Sequence, residues 1–189
     1  VYESNQTSTI LNESKLKFDP GITFSFYPHQ GGKNLLELET ENAELILNSA
    51  SLAISTTGLQ LTTGRLTIKW DCQINTDLIV NQDEDSNFST QGEGLILGAG
   101  SADQDCYCTV GVGAQLVLKE GKLVYNNVSE TALNLENKLA SILFYPLTIF
   151  AFNYSLSLKN GQMLIDRRTF IEQAGGASIT GSVFYQEML

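Results

Sequence analysis

Between residues 45 and 68 the apolar side chains come in pairs two apart, and the pairs recur every seven positions. They are Leu45 and Leu47, Leu52 and Ile54, Leu59 and Leu61, then Leu66 and Ile68, with Leu36 and Leu38 standing before them. A helix cannot use this pattern, because residues two apart lie about 200° apart around its axis and form no stripe. On a strand the two members of a pair point the same way. The stretches between pairs are Asn48-Ser49-Ala50-Ser51, Ser55-Thr56-Thr57-Gly58 and Thr62-Thr63-Gly64-Arg65. Such compositions turn chains. The region is therefore read as short strands separated by tight corners.

The unit returns further on. Residues 59–68 read L-x-L-x-x-G-x-L-x-I; residues 116–125 and 156–165 repeat the form, and residues 45–54 make a fourth copy with Ala50 in the glycine place. A glycine at one point of three copies (Gly64, Gly121, Gly161) implies a corner that needs a positive φ or a close backbone approach. Two architectures use such units. One is a β-solenoid with about three short sides and roughly 21 residues per coil, its inward apolar residues stacked into a column. The other is an antiparallel β-sandwich or jelly roll built of hairpins. The seven-residue beat favours the solenoid. The corner positions 50, 64, 121 and 161 are unevenly spaced, so insertions are expected between copies.

These units, with their Ser/Thr/Asn-rich corners, resemble the passenger regions of bacterial autotransporter adhesins and other parallel β-helix surface proteins. The resemblance rests on residues 36–74 and the two later copies, about half the chain, and implies architecture more than activity.

Outside the repeats, Ile22, Phe24 and Phe26 alternate after a Pro20-Gly21 turn and read as a strand. Residues 131–140 are the one helical expectation, with Ser129 or Thr131 as cap and Leu133, Leu135 and Leu139 as the apolar residues. Residues 141–152 read as strands bent at Pro146, and 177–185 as a final strand. The whole of 1–189 is read as a single all-β domain, with 1–17 a polar N-terminal arm placed to meet a neighbouring subunit.

The chain carries 21 acidic against 11 basic residues, a formal net charge of −10. Phosphate neutralisation needs a basic face, so nucleic acid is excluded as a partner, and anionic lipid is a poor one. No run approaches the 18 apolar residues of a spanning helix, so no membrane insertion is expected. The first residue is Val1, which suggests a removed leader and an extracellular or cell-surface location.

Three cysteines, Cys72, Cys106 and Cys108, suggest one disulfide between Cys72 and a member of the later pair, with one thiol left over. Zinc would want a second pair. Asn-x-Ser/Thr acceptors stand at Asn5, Asn12, Asn87, Asn127 and Asn153. Asp83, Asp85 and Asn87 have the alternate spacing that opens a calcium loop. The glycine and the bidentate glutamate that complete an EF-hand are missing, and structural calcium is the only cofactor considered. Asp103 and Asp105 form a smaller acidic pair.

For an enzyme, polysaccharide cleavage is the reading to test. Its carboxylates would come from Asp71 and Asp77, or from Asp166 beside Arg167 and Arg168, and these form no cluster in the repeat pattern. His29 is the only histidine and lies in a turn, which removes a hydrolase triad. Trp70 is the one tryptophan available to stack on a sugar. The expectation is a non-enzymatic extracellular structural or adhesive surface protein. It would partner itself in a head-to-tail filament, or a surface glycan or protein. The alternative is a carbohydrate-binding or polysaccharide-cleaving β-helix module.

Overall fold

A computed structural model describes residues 1–3, 6–28, 32–82 and 88–187. The described residues form 23 short strands and no helix, and none of them makes a helix long and apolar enough to cross a membrane. Twenty-one of the strands wind into seven three-sided coils. The first coil is β1 (Ser8–Ile10), β2 (Lys15–Phe18) and β3 (Thr23–Phe26). The second is β4 (Leu36–Leu38), β5 (Glu44–Leu47) and β6 (Ser51–Ile54), and the third β7 (Leu59–Leu61), β8 (Arg65–Ile68) and β9 (Cys72–Thr76). A hairpin, β10 (Ile79–Gln82) and β11 (Phe88–Gln91), is inserted there. The fourth coil is β12 (Leu95–Leu97), β13 (Tyr107–Val110) and β14 (Gln115–Glu120). The fifth is β15 (Lys122–Tyr125), β16 (Leu133–Leu135) and β17 (Ser141–Phe144). The sixth is β18 (Ile149–Phe152), β19 (Leu156–Ser157) and β20 (Gln162–Asp166), and the seventh β21 (Phe170–Gln173), β22 (Ile179–Thr180) and β23 (Val183–Gln186).

Corresponding strands of successive coils pair in parallel, so the chain is a β-solenoid. Sheet one is β7-β12-β15-β18-β21, with the pair β1-β4 beneath it. Sheet two is β2-β5-β8-β13-β16, continued by the pair β19-β22. Sheet three runs through all seven coils, β3-β6-β9-β14-β17-β20-β23. Among the described residues only the β10–β11 hairpin is antiparallel. The sandwich alternative is thereby set aside.

The stacking explains the seven-residue beat. Leu45 sits against Leu66, Ile142 against Met163 and Phe150 against Ile171, each 21 positions apart. Three side–corner–side units make one coil, and the copies seen in the sequence fall on different corners. Residues 45–54 and 156–165 turn sheet two into sheet three, 59–68 turn sheet one into sheet two, and 116–125 turn sheet three into sheet one. Their spacing therefore need not be a multiple of 21. The glycines of the three glycine-bearing copies all have positive φ: 78° at Gly64, 96° at Gly121 and 66° at Gly161.

The inward residues form one continuous apolar column. Leu45, Leu66, Leu59, Leu95, Phe150 and Met163 are all fully buried. Each buried side chain of this size contributes about 1.5–3 kcal/mol through removal from water. At the first coil, Tyr2 bridges to Phe26 and stacks its ring on that residue, 5.2 Å between centroids. At the seventh, the inward Ile171 and Tyr185 are 38% and 59% exposed, whereas Phe150 and Ile165 beneath them are at 0%.

Two readings are corrected. Residues 131–140 are not a helix: Leu133 and Leu135, two apart, lie on Cys108 and Val110 as strand β16, and Asn137 closes the following turn through the amides of Leu139 and Ala140. Pairing with β13 gives this backbone its partners, which overrides local helix propensity. The final strand is two strands, β22 and β23, with Gly181 at φ 119° between them. The expected arm, 1–17, contains β1 and most of β2, both parts of the first coil.

The links between strands are distributed unevenly. Every link from sheet two to sheet three has five residues or fewer. Every link longer than five residues borders sheet one: 27–35 and 77–94 on the side of sheet three, 98–106 and 126–132 on the side of sheet two.

Candidate functional site

The outer face of sheet one lies in a trough of about 700 Å³, to which three of the long links contribute Lys33, Gln91 to Glu93 and Asn126, the rest coming from the strands and the short links after β18 and β21. Its floor is a row of side chains that point away from the core: Ile96 on β12, Val124 on β15 and Ala151 on β18, in register with one another. Outer-face residues of a solenoid are ordinarily solvated. These three are only 6%, 9% and 5% exposed and form an apolar cluster separate from the column. At a strand spacing of about 4.8 Å the apolar part of the row is about 10 Å long, parallel to the solenoid axis. The register continues it to Gln60 on β7 and Glu172 on β21, the polar ends of a row of about 19 Å.

One wall is made of ion pairs that each step over a coil. Lys33 meets Glu93 at 3.0 Å and Lys122 meets Glu172 at 2.6 Å. Each exposed pair of this kind is worth about 0–1 kcal/mol in stability, so their consequence is local charge balance. The other wall is made of amides. Asn153 donates from Nδ2 to Asn126 Oδ1 at 2.9 Å, and Gln60 donates from Nε2 to the Gly98 carbonyl at 3.0 Å.

A buried polar tie holds this second wall. Asn127 is fully buried; its Oδ1 accepts from the Cys106 amide at 2.8 Å and its Nδ2 donates to the Cys106 carbonyl at 2.9 Å. Asp105 accepts from the amides of Val128 and Ser129 at 2.7 and 3.0 Å, and the Tyr125 hydroxyl donates to the Ser129 carbonyl. Links 98–106 and 126–132 are therefore locked to each other, as buried polar groups require.

Comparison with family models, with curated proteins and with solved structures found no match for this chain. The trough therefore has to be read from its own chemistry.

The structure scatters the residues that the sequence singled out. Asp83, Asp85 and Asn87 lie outside the described residues, as do Asn5 and His29. Among the described residues no group of three His, Cys, Asp or Glu side chains is placed to hold a metal ion. Asn12 is exposed, and its Oδ1 accepts from the Thr40 hydroxyl. Asn153 stands on the trough wall. Asn127 has no side chain to offer a glycan, because both ends of its amide are held in the interior. Trp70 is 60% exposed, away from the trough, at a corner between sheets two and three beside Val112 and Glu136. Asp71 accepts from the Gln115 amide at 3.1 Å. Asp166 is buried and pairs with Arg168 at 3.0 Å. Asp71 and Asp77 flank β9 at opposite ends in the third coil and Asp166 ends β20 in the sixth, so the three acid candidates form no cluster.

The cysteines are free, and all three are buried. Cys72 faces the column from sheet three and Cys108 from sheet two, where it stacks on Leu66; the expected disulfide is not formed. Burial pushes the Cys108 thiol up to about 12 and the Cys106 thiol well above its usual value, with the Cys108 thiol beside it adding to the effect. Burial raises the Cys72 thiol as well. The thiolate is the reactive form. Iodoacetamide at pH 8 is therefore expected to label none of the three thiols in the native protein within an hour and all three in guanidinium. Fast native labelling would contradict the buried placement.

The trough was missed in the sequence, although it had a signal there. Strands that face solvent on one side alternate, as in Leu36-Glu-Leu38 and Leu59-Gln-Leu61. The strands of the floor do not: Leu95-Ile96-Leu97, Leu123-Val124-Tyr125 and Ile149-Phe150-Ala151-Phe152 are unbroken apolar runs. Such runs mark strands covered on both faces.

Proposed function

We propose that this chain is an extracellular structural or adhesive solenoid whose working face is the outer side of sheet one, where it holds an extended partner along its axis. The observation that carries the reading is the placement of the long links. Four of them border sheet one; three, 27–35, 77–94 and 126–132, supply residues to the sides of a trough with an apolar floor and the fourth, 98–106, is tied behind the third, while the links between the other two sheets stay short. Loops carried on a rigid scaffold are where binding residues concentrate. The acidic composition and the exposed Asn-x-Ser/Thr site at Asn12 support an extracellular setting.

The test is retention of protein-coated beads on surfaces of cellulose, chitin, collagen and fibronectin. Retention on at least one surface is expected, and Val124→Arg, which raises a charged side chain from the trough floor, is expected to reduce it by about tenfold or more. Thr109→Arg, on the outer face of sheet two, should leave it unchanged. Equal retention by the two variants, or none on any surface with the unaltered protein, contradicts the reading.

A further inference from the structure

The geometry points to an uncharged, hydroxyl-rich chain, a neutral linear glycan, as the occupant of the sheet-one trough; this rests on the working face proposed above. Charge supplies the first argument. The protein carries a net charge of −10, yet the trough is balanced, because Lys33 and Lys122 are each held by a carboxylate of the same wall. An anionic ligand would have to break those pairs to be recognised, and a cationic one would find both carboxylates engaged.

Hydrogen-bonding capacity supplies the second. Gln60, Asn126 and Asn153 each use one end of the amide within the wall. Among the described residues Gln60 Oε1, Asn126 Nδ2 and Asn153 Oδ1 make no hydrogen bond, which leaves two acceptors and a donor along one side of the trough. A hydroxyl both donates and accepts, so a row of sugar hydroxyls satisfies such a mixed set. The floor of Ile96, Val124 and Ala151 offers an apolar strip to the C–H face of a sugar ring.

A peptide is a poorer fit. Extended peptides gain affinity by adding to a free sheet edge, and the strands that carry the floor, β12, β15 and β18, are each paired on both sides. The length agrees as well: the five-strand row, about 10 Å of apolar floor between Gln60 and Glu172 and about 19 Å in all, takes a chain of several rings laid along the axis.

Isothermal titration of the purified protein with cellohexaose, chitohexaose and mannohexaose tests this, with oligogalacturonate and a heparin hexasaccharide as acidic comparators. At least one neutral hexasaccharide is expected to bind, more tightly than its own trisaccharide. Its affinity should change less than about threefold between about 50 and about 500 mM NaCl, because no ion pair forms. Asn126→Ala combined with Asn153→Ala should weaken binding at least tenfold. Ala151→Trp, which fills the floor from the outer face, should abolish it while circular dichroism and melting temperature are kept. Preferred binding of an acidic oligosaccharide with steep salt dependence overturns the proposal, as does neutral binding that survives Ala151→Trp. Bead retention on collagen or fibronectin that is lost in Val124→Arg, with no neutral hexasaccharide bound at millimolar concentration, overturns the glycan and leaves the working face standing.

Discussion

Gly121→Val is expected to cost more than about 4 kcal/mol and to leave little folded protein at 37 °C. The residue has φ 96°, a conformation that costs an ordinary residue about 1–2 kcal/mol and a β-branched one more. Strain is the smaller part. A Cβ at this position would stand 1.8 Å from Thr76 Oγ1 and 2.2 Å from the Thr76 carbonyl oxygen. Thr76 is 2% exposed and cannot move aside, and its hydroxyl accepts from the Lys122 amide at 2.7 Å. The valine must therefore push coils apart where sheet three passes into sheet one. Gly113→Val is the control: φ there is 70°, but nothing lies within 4 Å of an added Cβ, so the loss is the backbone term alone, about 2 kcal/mol or a little more for a β-branched residue. Urea melts of the two variants measure the difference. Similar midpoints would mean that the corner is not packed as described.

Phe150→Ala is expected to cost about 3–5 kcal/mol and to change the form of the transition. Phe150 is fully buried in the sixth coil, with its ring 4.7 Å from Phe144 and 5.5 Å from Phe152. Truncation leaves a cavity that a stacked column cannot close, because each coil is held in register by the strands above and below. In a solenoid, stability is close to a sum of coil terms and nearest-neighbour terms. Damage in the sixth coil should therefore release the sixth and seventh coils before the first five, and a urea melt should show two steps where the parent shows one. The fluorescence of Trp70, in the third coil's corner, should report the later step alone. A single transition shifted by less than about 1 kcal/mol would contradict a close-packed column at this point.

The path from sequence to column was short, because the signal was purely local. Pairs such as Leu52 and Ile54 declare a strand face, and Gly64 or Gly121 declares the corner. The coil length follows once three such units close on themselves. The helix expectation over 131–140 failed for the opposite reason. Leu135 and Leu139, four apart, fit a helix, whereas Leu133 and Leu135, two apart, fit a strand, and what decides between them is β13, which stands more than twenty residues earlier in the chain. The site was less legible. Lys33 and Glu93 are 60 positions apart and Lys122 and Glu172 are 50 apart, so their pairing exists only after the coils stack. Asn127 looked like a glycan acceptor because its three-residue context is local, whereas its use as a buried tie depends on Cys106 in another coil. The unbroken apolar runs at Ile96, Val124 and Ala151 were in the sequence throughout, and a strict comparison of strand with strand would have exposed the covered face.

The central claim is that the links bordering sheet one build a working face and are not needed for the column. It is tested most directly by replacing residues 77–93, the link that carries the hairpin, with Ser-Thr-Thr. That leaves Gly94 before Leu95 and copies the Ser55-Thr56-Thr57-Gly58 corner of the coil beneath, where Leu59 and Leu95 are register partners and Gly58 and Gly94 share a positive φ. The measurement is bead retention together with the melting temperature of the shortened chain. The account predicts a cooperative melt within a few degrees of the parent and a loss of retention of about tenfold or more. A chain that no longer folds, or one that folds and is retained as well as the parent, would contradict it.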